Sequence, residues 1–206
     1  LARIIADPIV MIVNKDVPYR TLKDLVADAK ANPNKLIFSS SGLYGASHIP
    51  TVLFAKSAGD LQMRHLPTNG GGPAVTAVLG GNVNFFMSPT SIALSHIRAD
   101  KVRPMAVSSA KRVKALPDVP TFKELGYDLE YYFWVGIFAP KGTPTPIINT
   151  LREGLNKAAH SQQFLETLDK LGQELAYMDQ PEFAKFWAAD AKRQEDAINA
   201  IGRVQG

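Results

Sequence analysis

LPTNGGGPAV, residues 66–75, sets three consecutive glycines, Gly70, Gly71 and Gly72, between an apolar run and a helical pattern. Glycine lacks a Cβ, so it takes positive φ freely and lets a ligand approach the backbone. Pro73 has no N–H to lose and suits the first position of a helix. The stretch therefore reads as strand, glycine loop and helix N-terminus. Such a terminus presents free N–H groups and a partial positive charge, which suits an anion. Taken alone it is equally a tight turn without a ligand, so the neighbouring segments matter.

Upstream, residues 9–13 form a continuous apolar run, the pattern of a strand buried on both faces. Thr21 and Asp24 resemble a capping box ahead of the helical stripe Leu22, Leu25, Val26 and Ala29. Residues 36–38 are a short strand running into the hydroxyl-rich loop Ser39-Ser40-Ser41-Gly42. Residues 46–57 read as a helix, and 61–66 as the strand feeding the glycine loop. Residues 73–79 read as the next helix and 83–87 as another strand. The loop Ser88-Pro89-Thr90-Ser91 follows, then a helix over 91–99 and a strand over 103–107. This alternation predicts βαβ units and a mostly parallel sheet. In such a sheet the loops leaving the carboxyl ends of strands share one edge, where ligands bind.

Residues 131–138, YYFWVGIF, form a long aromatic strand that reads as a crossover between lobes. Its aromatic residues Tyr131, Tyr132, Phe133 and Trp134 read as core and hinge packing, with the lining of a cleft as the alternative. Beyond it come a helix with Ile147, Ile148, Leu151 and Leu155, a second with Phe164, Leu165, Leu168 and Leu171 that Gly172 ends, and a strand over 174–177. The last helix spans 180–201, with Phe183, Phe186, Trp187 and Ile198 on its apolar face.

Composition narrows the chemistry. The chain has 206 residues and no cysteine, which excludes disulfides, zinc–thiolate sites and thiol catalysis. The net charge of +4 comes partly from short basic clusters at residues 101–103 and 111–114. No aromatic residues interleave with them, so they read as solvated faces and not as a nucleic-acid surface. No apolar run approaches the roughly 18 residues a membrane helix needs. Neither glycine loop carries a P-loop lysine, and Gly70 does not open a dinucleotide fingerprint, so no cofactor is expected. His48, His65, His96 and His160 are scattered without a metal-binding spacing, and no metal is expected.

The three loops offer Ser39, Ser40, Ser41, Ser47, Thr68, Asn69, Ser88 and Thr90, all neutral donors, with no acid or lysine among them. They lack a general acid or base but suit an anion held by hydrogen bonds. A competing reading is a serine hydrolase, with Ser40 or Ser41 activated by His48 and oriented by Asp60. No G-x-S-x-G motif supports it.

Several stretches resemble a known family. They are Ser40-Ser41-Gly42 with His48, then Gly70-Gly71-Gly72-Pro73-Ala74, Gly80-Gly81-Asn82-Val83 and His96-Ile97-Arg98-Ala99. Residues 106–112 (AVSSAKR), 116–121 (LPDVPT) and 139–144 (APKGTP) follow in order. Together they are similar to the extracytoplasmic solute receptors of tripartite tricarboxylate transporters, the Bug-type receptors. The resemblance implies an α/β fold of the type II periplasmic-binding-protein kind. One complete Rossmann-like lobe would be joined by the C-terminal part of a second. The implied boundaries are 1–13 for a first-lobe strand and crossover, 14–133 for the ligand-binding lobe and 134–206 for the rest of the first lobe.

The implied function is that of a non-enzymatic periplasmic receptor, a monomer. It would capture a small di- or tricarboxylate or aromatic acid and deliver it to membrane permease subunits. The family's ligand loops carry over onto Ser40, Ser41, Gly42, Ala46, Ser47, Gly70, Gly71, Gly72 and Pro73. Three departures add Tyr44, Thr68 and Ser88 as candidate contacts. Tyr44 and Gly45 stand where the family often has glycine and serine. Thr68-Asn69 replaces Tyr-Lys, removing a cation. Ser88 replaces an aspartate, which implies a ligand without an amine, or an altered site. Family members also carry a signal peptide and an earlier first-lobe segment that forms the other wall of the cleft. Without that segment the chain would be a truncated, non-binding remnant.

Overall fold

The computed structural model describes residues 1–202. In chain order its elements are β1 (Ala2–Asn14), α1 (Leu22–Ala31), β2 (Ile37–Ser40), α2 (His48–Ser57), β3 (Arg64–Pro67), α3 (Gly71–Leu79) and β4 (Phe85–Pro89). There follow α4 (Thr90–Arg98), β5 (Val102–Val107), β6 (Tyr132–Ile137), α5 (Thr145–Ala159), α6 (Gln162–Lys170), β7 (Leu175–Asp179) and α7 (Gln180–Ile201).

β1 joins the whole. Its residues 9–14 lie between β4 and β5 and run antiparallel to both. Its residues 2–8 pair antiparallel with β6, and residues 2–5 also pair with β7 on the other side. β2 pairs parallel with β3 and β4, which gives the order β3-β2-β4-β1-β5. Strands β2 to β5 therefore point one way and β1 points against them. The expected mostly parallel sheet is thus a mixed one. Burial on both faces demands the same apolar run in either direction, so composition does not disclose β1's orientation.

Alternate residues of β1 serve opposite faces, as a strand's period of two requires. Ile9, Met11 and Val13 join the cluster around Phe38, Phe54 and Phe85. Val10 and Ile12 join the one around Val75, Val78 and Phe86. The capping box of α1 forms: Asp24 N–H donates to Thr21 Oγ1 at 3.2 Å, and Thr21 N–H donates to Asp24 Oδ2 at 2.8 Å. At β6, Gly136 lies directly beneath Phe183 of α7, and Trp134 Nε1 donates to Asp190 at 2.9 Å.

Some boundaries move. α3 begins at Gly71, two residues before Pro73, so Gly70 is its N-cap and Gly71 and Gly72 open its first turn. β3 is Arg64–Pro67, shorter and later than 61–66. No helix among the described residues is long and apolar enough to cross a membrane.

Candidate functional site

Because β2, β3 and β4 are parallel, their carboxyl ends share an edge, and the three polar loops meet there. Thr68 stitches two of them: its N–H and its Oγ1 both donate to the Ser40 carbonyl at 2.9 Å. Ser39 Oγ donates to the Ala74 carbonyl at 3.0 Å. A Cβ placed on Gly71 would stand 3.0 Å from Ile92 Cδ1, so the glycine loop also reaches α4. Gly70 has φ +115°, a conformation reserved for glycine, and as N-cap it gives α3 no side-chain hydrogen bond. The first N–H groups of α3 are therefore left without a side-chain cap.

The candidate residues divide into two sets. Ser40, Ser47 and Ser88 are buried at 0%, 1% and 0% exposure. Ser40 Oγ donates to the Gly42 carbonyl at 2.9 Å and lies 2.6 Å from His65 Nε2. Ser47 Oγ accepts from the Ser41 N–H at 2.8 Å and meets Ser41 Oγ at 2.9 Å. Ser88 Oγ donates to the Pro89 carbonyl at 3.0 Å. The Ser40 and Ser47 hydroxyls hold the seryl loop in shape, while Ser88, inside β4, bonds only its neighbour's carbonyl. Ser41, Gly42, Tyr44, Ala46, Thr68, Gly70 and Gly71 are half-buried, and Gly72 and Pro73 are exposed. The exposed hydrophobic residues Leu43, Leu66 and Ile92 belong to the same three segments.

A stacked aromatic column backs the seryl loop. Phe38 lies 4.6 Å from His65, and His65 lies 4.3 Å from His48, with nearly parallel rings. Tyr44 meets His48 edge-on at 5.8 Å. His48 Nδ1 accepts from the Tyr44 N–H at 3.0 Å, holding Tyr44 at φ +54°. Burial lowers the pKa of His48. Burial, then the neighbouring His48, pushes His65 down to about 4. Both rings are neutral at pH 7. The histidine that reaches Ser40 is therefore His65 and not His48, and no carboxylate perturbs either ring. A fully buried serine beside a histidine without an acid partner is a poor nucleophile.

Asp7 escaped the sequence reading. Its Oδ2 accepts from the Ser91 N–H at 3.1 Å, from Ser91 Oγ at 2.6 Å and from Gln173 Nε2 at 3.1 Å. Its Oδ1 is buried without a hydrogen-bond partner, and burial raises its pKa. Asp7 thus occupies the N-terminus of α4 from the neighbouring strand β1. The start of α4 is thus already held by a carboxylate, whereas Gly70 gives the start of α3 no side-chain cap. A lone Asp before Pro8 reads locally as a turn, and its partner Ser91 is 84 residues away.

Residues 1–203 match the family model described as "Tripartite tricarboxylate transporter family receptor". The chain belongs to that family. A curated relative, Protein BugT of Bordetella pertussis, is 31% identical over 196 residues, covering 95% of this chain and 60% of its own length. The chain therefore spans about 60% of that relative's length. A solved structure, R. palustris Rpa4515 with adipate, superposes with a TM-score of 0.87 at 26% identity. It covers 95% of this chain, which matches 65% of that one. MatC (Rpa3494) from Rhodopseudomonas palustris with bound malate gives a TM-score of 0.85 at 25% identity, covering 95% and 68%. The fold is accordingly the α/β periplasmic-binding-protein type.

Proposed function

We propose that this chain carries the ligand-gripping face of a periplasmic receptor. It captures a small di- or tricarboxylate or an aromatic acid and hands it to the membrane permease subunits of a tripartite transporter. One observation carries the reading: the uncapped start of α3 at Gly70–Gly72 stands against the stitched seryl loop. The ligand's carboxylate takes the N–H groups of Gly71 and Gly72, with Ser41 and Thr68 beside it. Its apolar body lies against Leu43 and Leu66, which are otherwise exposed hydrophobic surface. Residues 14–133 form the ligand-binding lobe, with β1 as the crossover and residues 134–206 in the partner lobe. The receptor is a monomer and carries out no chemical step, because the loops hold no acid, lysine or charged histidine to move a proton.

The family match and the adipate- and malate-bound neighbours support this ligand class. Isothermal titration with malate, adipate, citrate and benzoate tests it. Saturable binding of at least one acid is expected. A Gly72→Val variant should lose it while remaining folded, since a Cβ at Gly72 meets nothing within 4 Å. Absence of binding for all four acids, or full affinity in Gly72→Val, would refute the reading.

A further inference from the structure

A cavity of about 750 Å³ lies across β1 from the seryl and glycine loops, where the segment following β5 faces β7 and α7. None of the loop residues lines it. Its apolar surface includes Val113, Met178 and Phe186. Arg3 of β1 reaches along this surface: Nε donates to the Ala176 carbonyl at 3.0 Å, and the guanidinium lies 4.5 Å above the Phe186 ring. Among the described residues Arg3 has no ion-pair partner, and burial pushes its pKa below the usual value. A half-buried guanidinium with unmatched donors favours an incoming planar anion.

The opposite wall adds Lys111 and Lys114, both exposed and both without an ion pair among the described residues. The acids around the cavity are mostly engaged. Asp190 is held by Arg193 and Trp134, Glu130 by Lys123, and Asp7 by Ser91 and Gln173. That leaves Glu174 and the unpartnered Oδ1 of Asp7 against the unmatched Arg3, Lys111 and Lys114.

We propose that this cavity is a second binding site, taken by a small organic anion with an apolar body. Its carboxylate meets Arg3 and the Lys111–Lys114 wall, and its hydrocarbon part lies against Met178 and Phe186. The site does not depend on the loop edge. A ligand there touches both the β1–β7 side and the segment after β5, so it braces the two halves of the molecule against each other.

Methionine methyl NMR with benzoate as the probe tests this directly. The Met178 methyl should shift saturably at millimolar benzoate, while Met11 and Met87, fully buried elsewhere, stay fixed. Benzamide, the uncharged analogue, should leave Met178 in place. Arg3→Gln should weaken binding roughly tenfold, as loss of a charge-assisted contact does. The double variant Lys111→Gln/Lys114→Gln should weaken it as well, and it decides the matter if Arg3→Gln does not fold. Gly72→Val should leave the Met178 response intact. An unmoved Met178, an equal response to benzamide, unchanged affinity in the charge variants, or loss in Gly72→Val would each overturn the proposal.

Discussion

Helices α3 and α4 begin side by side on one edge of one sheet, and their first turns meet opposite fates. At α4 a carboxylate from inside the protein, Asp7, already holds the Ser91 N–H and hydroxyl. At α3 the N-cap is Gly70 and no side chain caps the first turn. Two termini with the same electrostatic appetite thus do different work. The filled one ties β1, α4 and the Gln173 segment together, and the open one is where the proposed ligand would sit. A helix start is a site only where the protein has not already answered it.

That contrast can be broken experimentally. Gly70→Ala attacks the open terminus. A Cβ at φ +115° forces the loop out of its conformation. Titration calorimetry should show ligand affinity falling by roughly tenfold or more, with about 1–2 kcal/mol lost from stability.

Asp7→Ala attacks the filled terminus. It orphans the Ser91 N–H and the Gln173 amide, so urea unfolding should report a loss of roughly 1–3 kcal/mol. Asp7→Asn keeps an acceptor and should lose less. The sign with pH follows from burial. Asp7 binds its proton at higher pH in the native state than in the unfolded one. Acidification through that window therefore stabilises wild type relative to Asp7→Asn. The opposite trend would mean that the ionised form is the favoured one.

The histidine column sharpens the comparison from the seryl side. An unfolded histidine takes up a proton near pH 6.5, whereas folded His65 resists protonation until about 4. Stability is therefore complete above about 6.5 and falls as the pH drops toward 4. Thermal melts across that range should show the slope, and His65→Gln should flatten it. The smallest effect is expected from Gly72→Ala, whose new methyl meets open space. Its unfolding free energy should stay within about 0.5 kcal/mol of wild type.

Much of this arrangement is legible in the chain. The capping box at Thr21, the strands expected over 36–38 and 83–87, and the glycine loop are local signals, although both strands run two residues further, to Ser40 and Pro89, into what read as loop. Their meeting on one edge follows from parallel strands and needs no side-chain detail. What stays hidden is non-local. The direction of β1 is invisible because Val10 and Ile12 would be equally buried either way. The Ser40–His65 contact joins residues 25 apart, and Ser91–Asp7 joins residues 84 apart. The buried state of Ser40, Ser47 and Ser88 also depends on packing that a hydroxyl-rich loop does not announce.

β1 carries one last implication. Its backbone is laddered to β4 and β5 at one end and to β6 and β7 at the other, with no slack coil between. A connection of that kind works as a torsion bar and not as a loose joint. Any swing of one half of the molecule about the other must twist a continuous ribbon around Asp7 and Pro8. Amide exchange should accordingly be slowest along residues 9–13, and rotation should be springy and small in amplitude.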